Sequence, residues 1–280
     1  MLRLGVFLAV LATPLAAQER VVVIGGGLAE IVYALGQDHR LVGRDTTASF
    51  PPQVAALPDV GYMRALSPEG LLTLDPDLIL ASEGSGPVET VQIMQAASVP
   101  FVQITEEPSP TAVLERVMTI ATYLEAQAAG EALVAQLEAE FAALAKITEA
   151  VRRPKRVMFV LSAQSGRINA AGRDTGADAM IRLAGGVNAF DDFAGYRLLS
   201  DEAITAAAPD VILMMDRDGD HAISDAEILA HPALGLTPAA ENGAVIRMNG
   251  IYLLGFGPRT AQAAQELHGA LYRQPPHKGG

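Results

Sequence analysis

Tyr62, in the stretch VGYMRALSPEG, is a residue type that can hold ferric iron through oxygen, and Arg64 follows two residues later. A nearby guanidinium favours a phenolate over a phenol. A phenolate is a hard anionic donor, and tyrosine is one of the axial ligands used for haem iron. If the backbone here is extended, both side chains project from the same side. Met63 and Leu66 would then add apolar surface beside them. The plainer alternative is a surface tyrosine with an arginine stacked on it.

Three other patterns invite chemistry. In DRDGDHAISDAE (216–227), Asp216, Asp218, Asp220, Ile223, Ser224 and Glu227 follow a calcium-loop spacing. However, His221 stands where the tight-turn glycine belongs, and the apolar run VILMM precedes the loop in place of a helix. The readings are a calcium site, as in a calcium-dependent extracytoplasmic interaction protein, or an acidic surface loop. Gly25, Gly26 and Gly27 follow a strand-like run, but Glu30 occupies the third glycine position of a dinucleotide fingerprint. A carboxylate there repels a pyrophosphate, so a tight strand-to-helix turn is the better reading. His39, His221, His231, His268 and His277 are scattered, with no two at ligand spacing. No nucleophile elbow or Walker loop is present, so the residues point to binding and not to an enzyme.

The elements that must position Tyr62 lie in a repeated unit. LSPEGLLTLDPDLIL recurs as LSDEAITAAAPDVIL, with Ser67, Glu69, Pro76 and Asp77 matched by Ser200, Glu202, Pro209 and Asp210. Ser67 and Ser200 predict helix N-caps. Glu69 and Glu202 fall in the first turn, where a carboxylate meets the positive end of the dipole. The prolines end each helix, and LIL or VIL reads as a buried strand. One unit in each half predicts two similar α/β lobes.

The first lobe reads as strands at 19–27, 40–45 and 99–104 around the repeat strand, with helices at 28–36 and 88–97; such connections suit parallel crossovers. Residues 110–151 are strongly helical, as one helix or two, and would join the lobes rigidly. The second lobe reads as a strand at 155–162, a Gly-rich loop at 162–177, a helix at 178–186, the second repeat, a strand at 244–249 and a closing helix at 257–272.

The net charge of −12 argues against nucleic acid. With no cysteine, disulfides, thiolate metal sites and a lipoprotein anchor are excluded. MLRLGVFLAVLATPLAAQER has the form of a secretory signal peptide, with cleavage expected after Ala17. We therefore expect a signal peptide at 1–17, a first lobe at 18–108, a helical linker at 109–153, a second lobe at 154–274 and a frayed tail at 275–280. Without an anchor, the mature protein is expected in the periplasm.

IGGGLAEIVYALG, VGYMRALSPEGLLTLDPDLILASEG, AAGRDTGADAMIRLAGGVNAF and YLLGFGPRT together resemble the periplasmic haem-binding proteins of bacterial haem ABC importers. These belong to the helix-hinged, class III binding proteins, which also serve siderophores and cobalamin. The resemblance implies an α/β fold: two Rossmann-like lobes with parallel-rich sheets, a long rigid joining helix and a ligand cleft between the lobes. It places Tyr62 at the haem-iron ligand and Arg64 at its hydrogen-bonding partner. Glu69 and Glu202 match glutamates that dock on arginines of the membrane permease, whose ATPase subunits supply the energy. Arg173 and Arg259 become candidates for the haem propionates, since guanidinium pairs well with carboxylate. Some relatives add a second-lobe histidine for a second haem; residues 155–215 contain none, which speaks against a second ligated haem. A monomer that carries ferric haem as cargo is expected.

Overall fold

The computed structural model describes residues 19–164, 166–216 and 223–272. The expected signal peptide and tail lie outside the described residues. In chain order the first lobe is β1 (Val21–Ile24), α1 (Gly26–Ala34), β2 (Leu41–Arg44), α2 (Pro68–Thr73), β3 (Leu78–Ser82), α3 (Val88–Ala96) and β4 (Phe101–Ile104). Its four strands form one parallel sheet in the order β2-β1-β3-β4. Apolar runs such as VVVI in β1 are buried throughout, because a parallel sheet is covered on both faces.

Two helices follow, α4 (Pro110–Tyr123) and α5 (Gln127–Thr148). The chain breaks between them where Glu125 takes a left-handed backbone, φ 53°. The helical stretch is therefore a pair, and its longer member spans about 33 Å at 1.5 Å per residue. Leu133, Leu137 and Leu144 are buried along α5, whereas Ile147 is exposed.

The second lobe comprises β5 (Arg156–Gln164), β6 (Arg167–Ala171), α6 (Gly176–Leu183), β7 (Val187–Asn188), β8 (Tyr196–Leu198), α7 (Asp201–Ala207), β9 (Val211–Met215), α8 (Asp225–Leu229), α9 (Pro238–Glu241), β10 (Val245–Met248), α10 (Gly250–Leu254) and α11 (Thr260–Tyr272). Its main sheet order is β10-β9-β5-β6-β8, with the short β7 pairing on β5. The expected loop at 162–177 instead contains β6, antiparallel to β5. Glycines flanking this segment obscured its alternation, in which Ile168 and Ala170 turn into the core. Antiparallel β8 then forms the sheet edge. Among the described residues no helix is long and apolar enough to cross a membrane.

The repeated unit folds twice in the same way. Ser67 Oγ accepts from Gly70 N, and Ser200 Oγ accepts from Ala203 N, each at 3.3 Å. Each helix ends at a residue with positive φ just before the proline, Asp75 at 47° and Ala208 at 42°. Proline disfavours a right-handed helical residue immediately before it, which makes this stop firm. The repeat also has a feature the sequence alone did not suggest. Asp77 accepts from the amides of Glu19 and Arg20, while Asp210 accepts from the Arg156 amide. Arg20 Nε donates back to the Asp75 carbonyl, and Arg156 Nε to the Ala207 carbonyl. In both lobes an aspartate and an arginine thus tie the entry of one strand to the helix before its neighbour.

The lobes share one hydrophobic core that runs from Val21 and Val23 through α4 and α5 to Val157 and Phe159. A Cβ on Gly27 would stand 2.3 Å from the Gly255 carbonyl oxygen, so α1 meets the second lobe backbone to backbone. Buried Arg116 on α4 donates to Phe256 O at 2.6 Å and to Thr105 O at 3.1 and 2.9 Å. Burial lowers its pKa from the ordinary value, partly offset by the charge of Glu106. Arg259 forks onto buried Glu30 through Nε at 2.9 Å and Nη2 at 2.5 Å. Its guanidinium also lies over Phe50, 3.6 Å from the ring centroid, and over Tyr252 at 4.8 Å.

Removing Arg259 leaves a buried carboxylate without its cation. Arg259→Ala should destabilise the protein by about 3 kcal/mol, whereas the double variant Glu30→Gln/Arg259→Ala should recover part of that loss. Urea unfolding checks both; equal losses in the two variants would remove the pair from the lobe junction.

Candidate ligand-binding site

Tyr62 is built from the end of β2 outward. Asp45, fully buried just past β2, accepts from Gly25 N at 2.9 Å and from the hydroxyl of Thr47. Thr47 Oγ1 in turn accepts from Gly26 N. The start of α1 is therefore satisfied by the protein's own oxygen atoms, and the glycines serve a tight turn, not a phosphate. Thr46 N donates to Gly61 O, which links this turn to the loop carrying Tyr62. Gly61, at φ 95°, donates its amide to Asp59, and Asp59 is paired with Arg44 at 2.8 Å.

The segment after Gly61 is a turn, not the extended piece expected. Ala65 N donates to Tyr62 O at 2.7 Å, closing residues 62–65. The turn still brings the pair together: Arg64 Nη1 lies 3.4 Å from Tyr62 Oη, a long contact. Met63 and Leu66 do not supply apolar surface beside the phenol. Leu66 is buried, Met63 packs on the same core cluster, and Gly86 N donates to Met63 O at 2.8 Å. Anchoring those two residues inward leaves Tyr62 45% exposed, available to a ligand.

Glu69 and Glu202 are both exposed, each in the first turn of a serine-capped helix. Hydrogen bonds from its own backbone amide and from Ser200 hold the Glu202 carboxyl below its ordinary value, so it remains charged.

The two arginine candidates are placed differently. Arg173 is exposed and makes a loose 3.5 Å pair with Asp174. Arg259 is paired with Glu30 at the lobe junction. Glu30, read from the sequence only as a misfit to a nucleotide motif, is the partner. A carboxylate buried on the glycine-turn helix needs a cation from elsewhere in the fold.

The acidic segment falls largely outside the described residues, including Asp218, Asp220 and His221. Its last positions have another use. Ser224 and Glu227 form a reciprocal capping box at the start of α8, with Glu227 Oε2 accepting from Ser224 N at 2.8 Å. That occupies the carboxylate that calcium would need in bidentate form. Among the described residues no group of three or more histidine, aspartate or glutamate side chains is arranged to hold a metal ion. His231 and His268 bond to the carbonyls of Gly166 and Ala184.

Comparison with known proteins fits this architecture. The family model described as periplasmic binding protein matches residues 21–252. The structure of BhuT, a periplasmic haem-binding protein in complex with two haems, is 40% identical with a TM-score of 0.86, covering 90% of this chain and 97% of that one. The vitamin B12-binding protein of Vibrio cholerae serotype O1 is 27% identical over 259 residues, 92% of this chain and 90% of that protein. The match to YvrC of Bacillus subtilis, an uncharacterised ABC transporter substrate-binding lipoprotein, is 25% identical over 190 residues, 67% of this chain and 60% of that protein. Two α/β lobes built from a repeated unit, pinned across a helical pair and matched over most of their length, make this chain a member of the periplasmic binding protein family.

Proposed function

We propose that this protein captures ferric haem between its lobes and delivers it to an ABC permease for haem and iron uptake. The observation that carries the reading is the Tyr62–Arg64 pair, held outward by a turn whose apolar residues are anchored in the core. Tyr62 binds the iron as phenolate, a hard donor for a hard cation. Arg64 donates to that oxygen and balances its charge. The likeness to BhuT over nine-tenths of the chain supports haem as the cargo.

Delivery rests on Glu69 and Glu202, one per lobe, exposed at equivalent positions of the repeat. Two matching carboxylates suit two matching cationic sites on a permease, and charge pairing steers such encounters. ATP hydrolysis belongs to the partner's ATPase subunits, and no bond of the ligand is broken here. Export by the N-terminal signal would put the mature chain in the periplasm, acting as a monomer without an anchor. The second reading, cobalamin, is favoured by the Vibrio cholerae B12-binding relative.

Hemin titration of the mature protein should give a saturable complex with a phenolate-to-iron charge-transfer band. Tyr62→Phe should abolish the band and weaken binding at least tenfold. A retained band would move the iron ligand elsewhere, and uptake of cobalamin without hemin would replace the cargo. Reversing both Glu69 and Glu202 to Lys should abolish transport in permease-containing vesicles while leaving hemin affinity unchanged; normal transport would end the docking role.

A further inference from the structure

The phenol of Tyr62 is weakly held by its surroundings: it is exposed, and its contact with Arg64 is long at 3.4 Å. The position of its oxygen is therefore set by the backbone that carries it. That backbone enters through Gly61, whose two peptide groups are both fixed. Its N–H donates to Asp59 Oδ1 at 2.8 Å, and its C=O accepts from Thr46 N at 3.0 Å. With φ at 95°, Gly61 turns the chain in a conformation that other residues rarely adopt. A swing about this residue moves Tyr62 as a whole.

Asp59 fastens that joint to the first sheet. Its second oxygen, Oδ2, accepts from Arg44 Nη1 at 2.8 Å, and the same Nη1 donates to the Asp45 carbonyl at 3.1 Å. Arg44 is the last residue of β2, and the backbone on either side of Asp59 pairs with it. Arg44 N donates to Pro58 O and Val60 N to Arg44 O, each at 2.9 Å. The carboxylate thus gives one oxygen to the strand and one to the turn. The Arg44 side chain is only 15% exposed, and its Nε is buried with no hydrogen-bond partner among the described residues. An imperfectly satisfied guanidinium is a poor stabiliser, and such local conflicts gather where function places a demand.

The exit of the turn is secured separately. Gly86 N donates to Met63 O, Leu66 N to Gly86 O, and Thr90 Oγ1 to Leu66 O, all beside the core cluster. Loosening the entry therefore leaves the exit and the core in place. We infer that Asp59, with Arg44 behind it, is a positioning residue for Tyr62, acting through the turn and not by contact with the ligand. This rests on the haem reading above. A phenolate held ready meets the iron without first ordering the turn, and once bound it has less freedom to swing away. Losing that hold costs affinity chiefly through faster release.

The test compares hemin titration, and hemin release to excess apomyoglobin, in the wild type, Asp59→Ala, Asp59→Asn and the double variant Arg44→Met/Asp59→Ala, with thermal unfolding of each. Asp59→Ala should bind about tenfold more weakly through faster release, with a displaced charge-transfer band because the iron–oxygen geometry is no longer fixed. Asp59→Asn keeps an oxygen for the Gly61 amide; it should keep the wild-type band and lose less affinity than Asp59→Ala. The double variant also removes the cation that Asp59→Ala strands, so it should fold at least as well and show the same displaced band. Wild-type affinity, release and band in both variants that carry Asp59→Ala overturn the inference, even if their melting temperatures fall. An Asp59→Asn variant as impaired as Asp59→Ala overturns it too, since charge and not the hold on Gly61 would then be the cause. A wild type that takes up no hemin ends the haem reading and this inference with it, whereas a hemin-binding wild type with unaffected variants ends this inference alone.

Discussion

Arg116 is the interaction on which the rest of this structure depends. A guanidinium buried to this degree loses its hydration, and it persists because backbone carbonyls replace the water. Those carbonyls come from both lobes: Thr105 follows the last strand of the first, and Phe256 precedes the last helix of the second. The Glu30–Arg259 fork adds a second tie, and the contact of Gly27 with Gly255 adds a third. Breaking any of them strands a charge or opens packed backbone. The lobes are therefore tied to each other along one side.

Within each lobe the repeated unit performs the same mechanical task. Serine starts the helix, a left-handed residue and proline stop it, and aspartate fastens the next strand to its neighbour. The exposed glutamate lies in the first turn of each helix, at the positive end of the dipole, and in the second copy its carboxylate also accepts from its own amide and from Ser200. Two copies of one unit present that carboxylate twice, once in each lobe.

The Tyr62 loop shows how a soft-looking segment is made specific. Gly61 supplies a backbone conformation that other residues rarely adopt, Asp59 fixes its amide, and Met63 and Leu66 anchor the turn in the core. Tyr62 and Arg64 are left exposed as a pair. A functional side chain on a loop is useful when the loop's other residues have no alternative packing.

The sequence by itself determined much of this. The Ser-x-Glu spacing and the Pro-Asp steps read as two equivalent units, because caps and stops are local chemistry. The parallel first sheet was legible from apolar runs separated by helical crossovers. The pairing of Tyr62 with Arg64 was also foreseen, though by an extended backbone where the structure has a turn; two-residue spacing does not distinguish them without the Ala65 hydrogen bond. What only the tertiary structure decided concerns residues far apart in the chain. Glu30 and Arg259 are 229 positions apart, and no local pattern says that one neutralises the other. β6 and β8 were hidden for the same reason: a short strand between glycines carries little signal until a neighbour supplies its hydrogen bonds. Sequence periodicity reports which face of an element is buried. Which distant charge or strand meets that face is fixed only when the lobes pack.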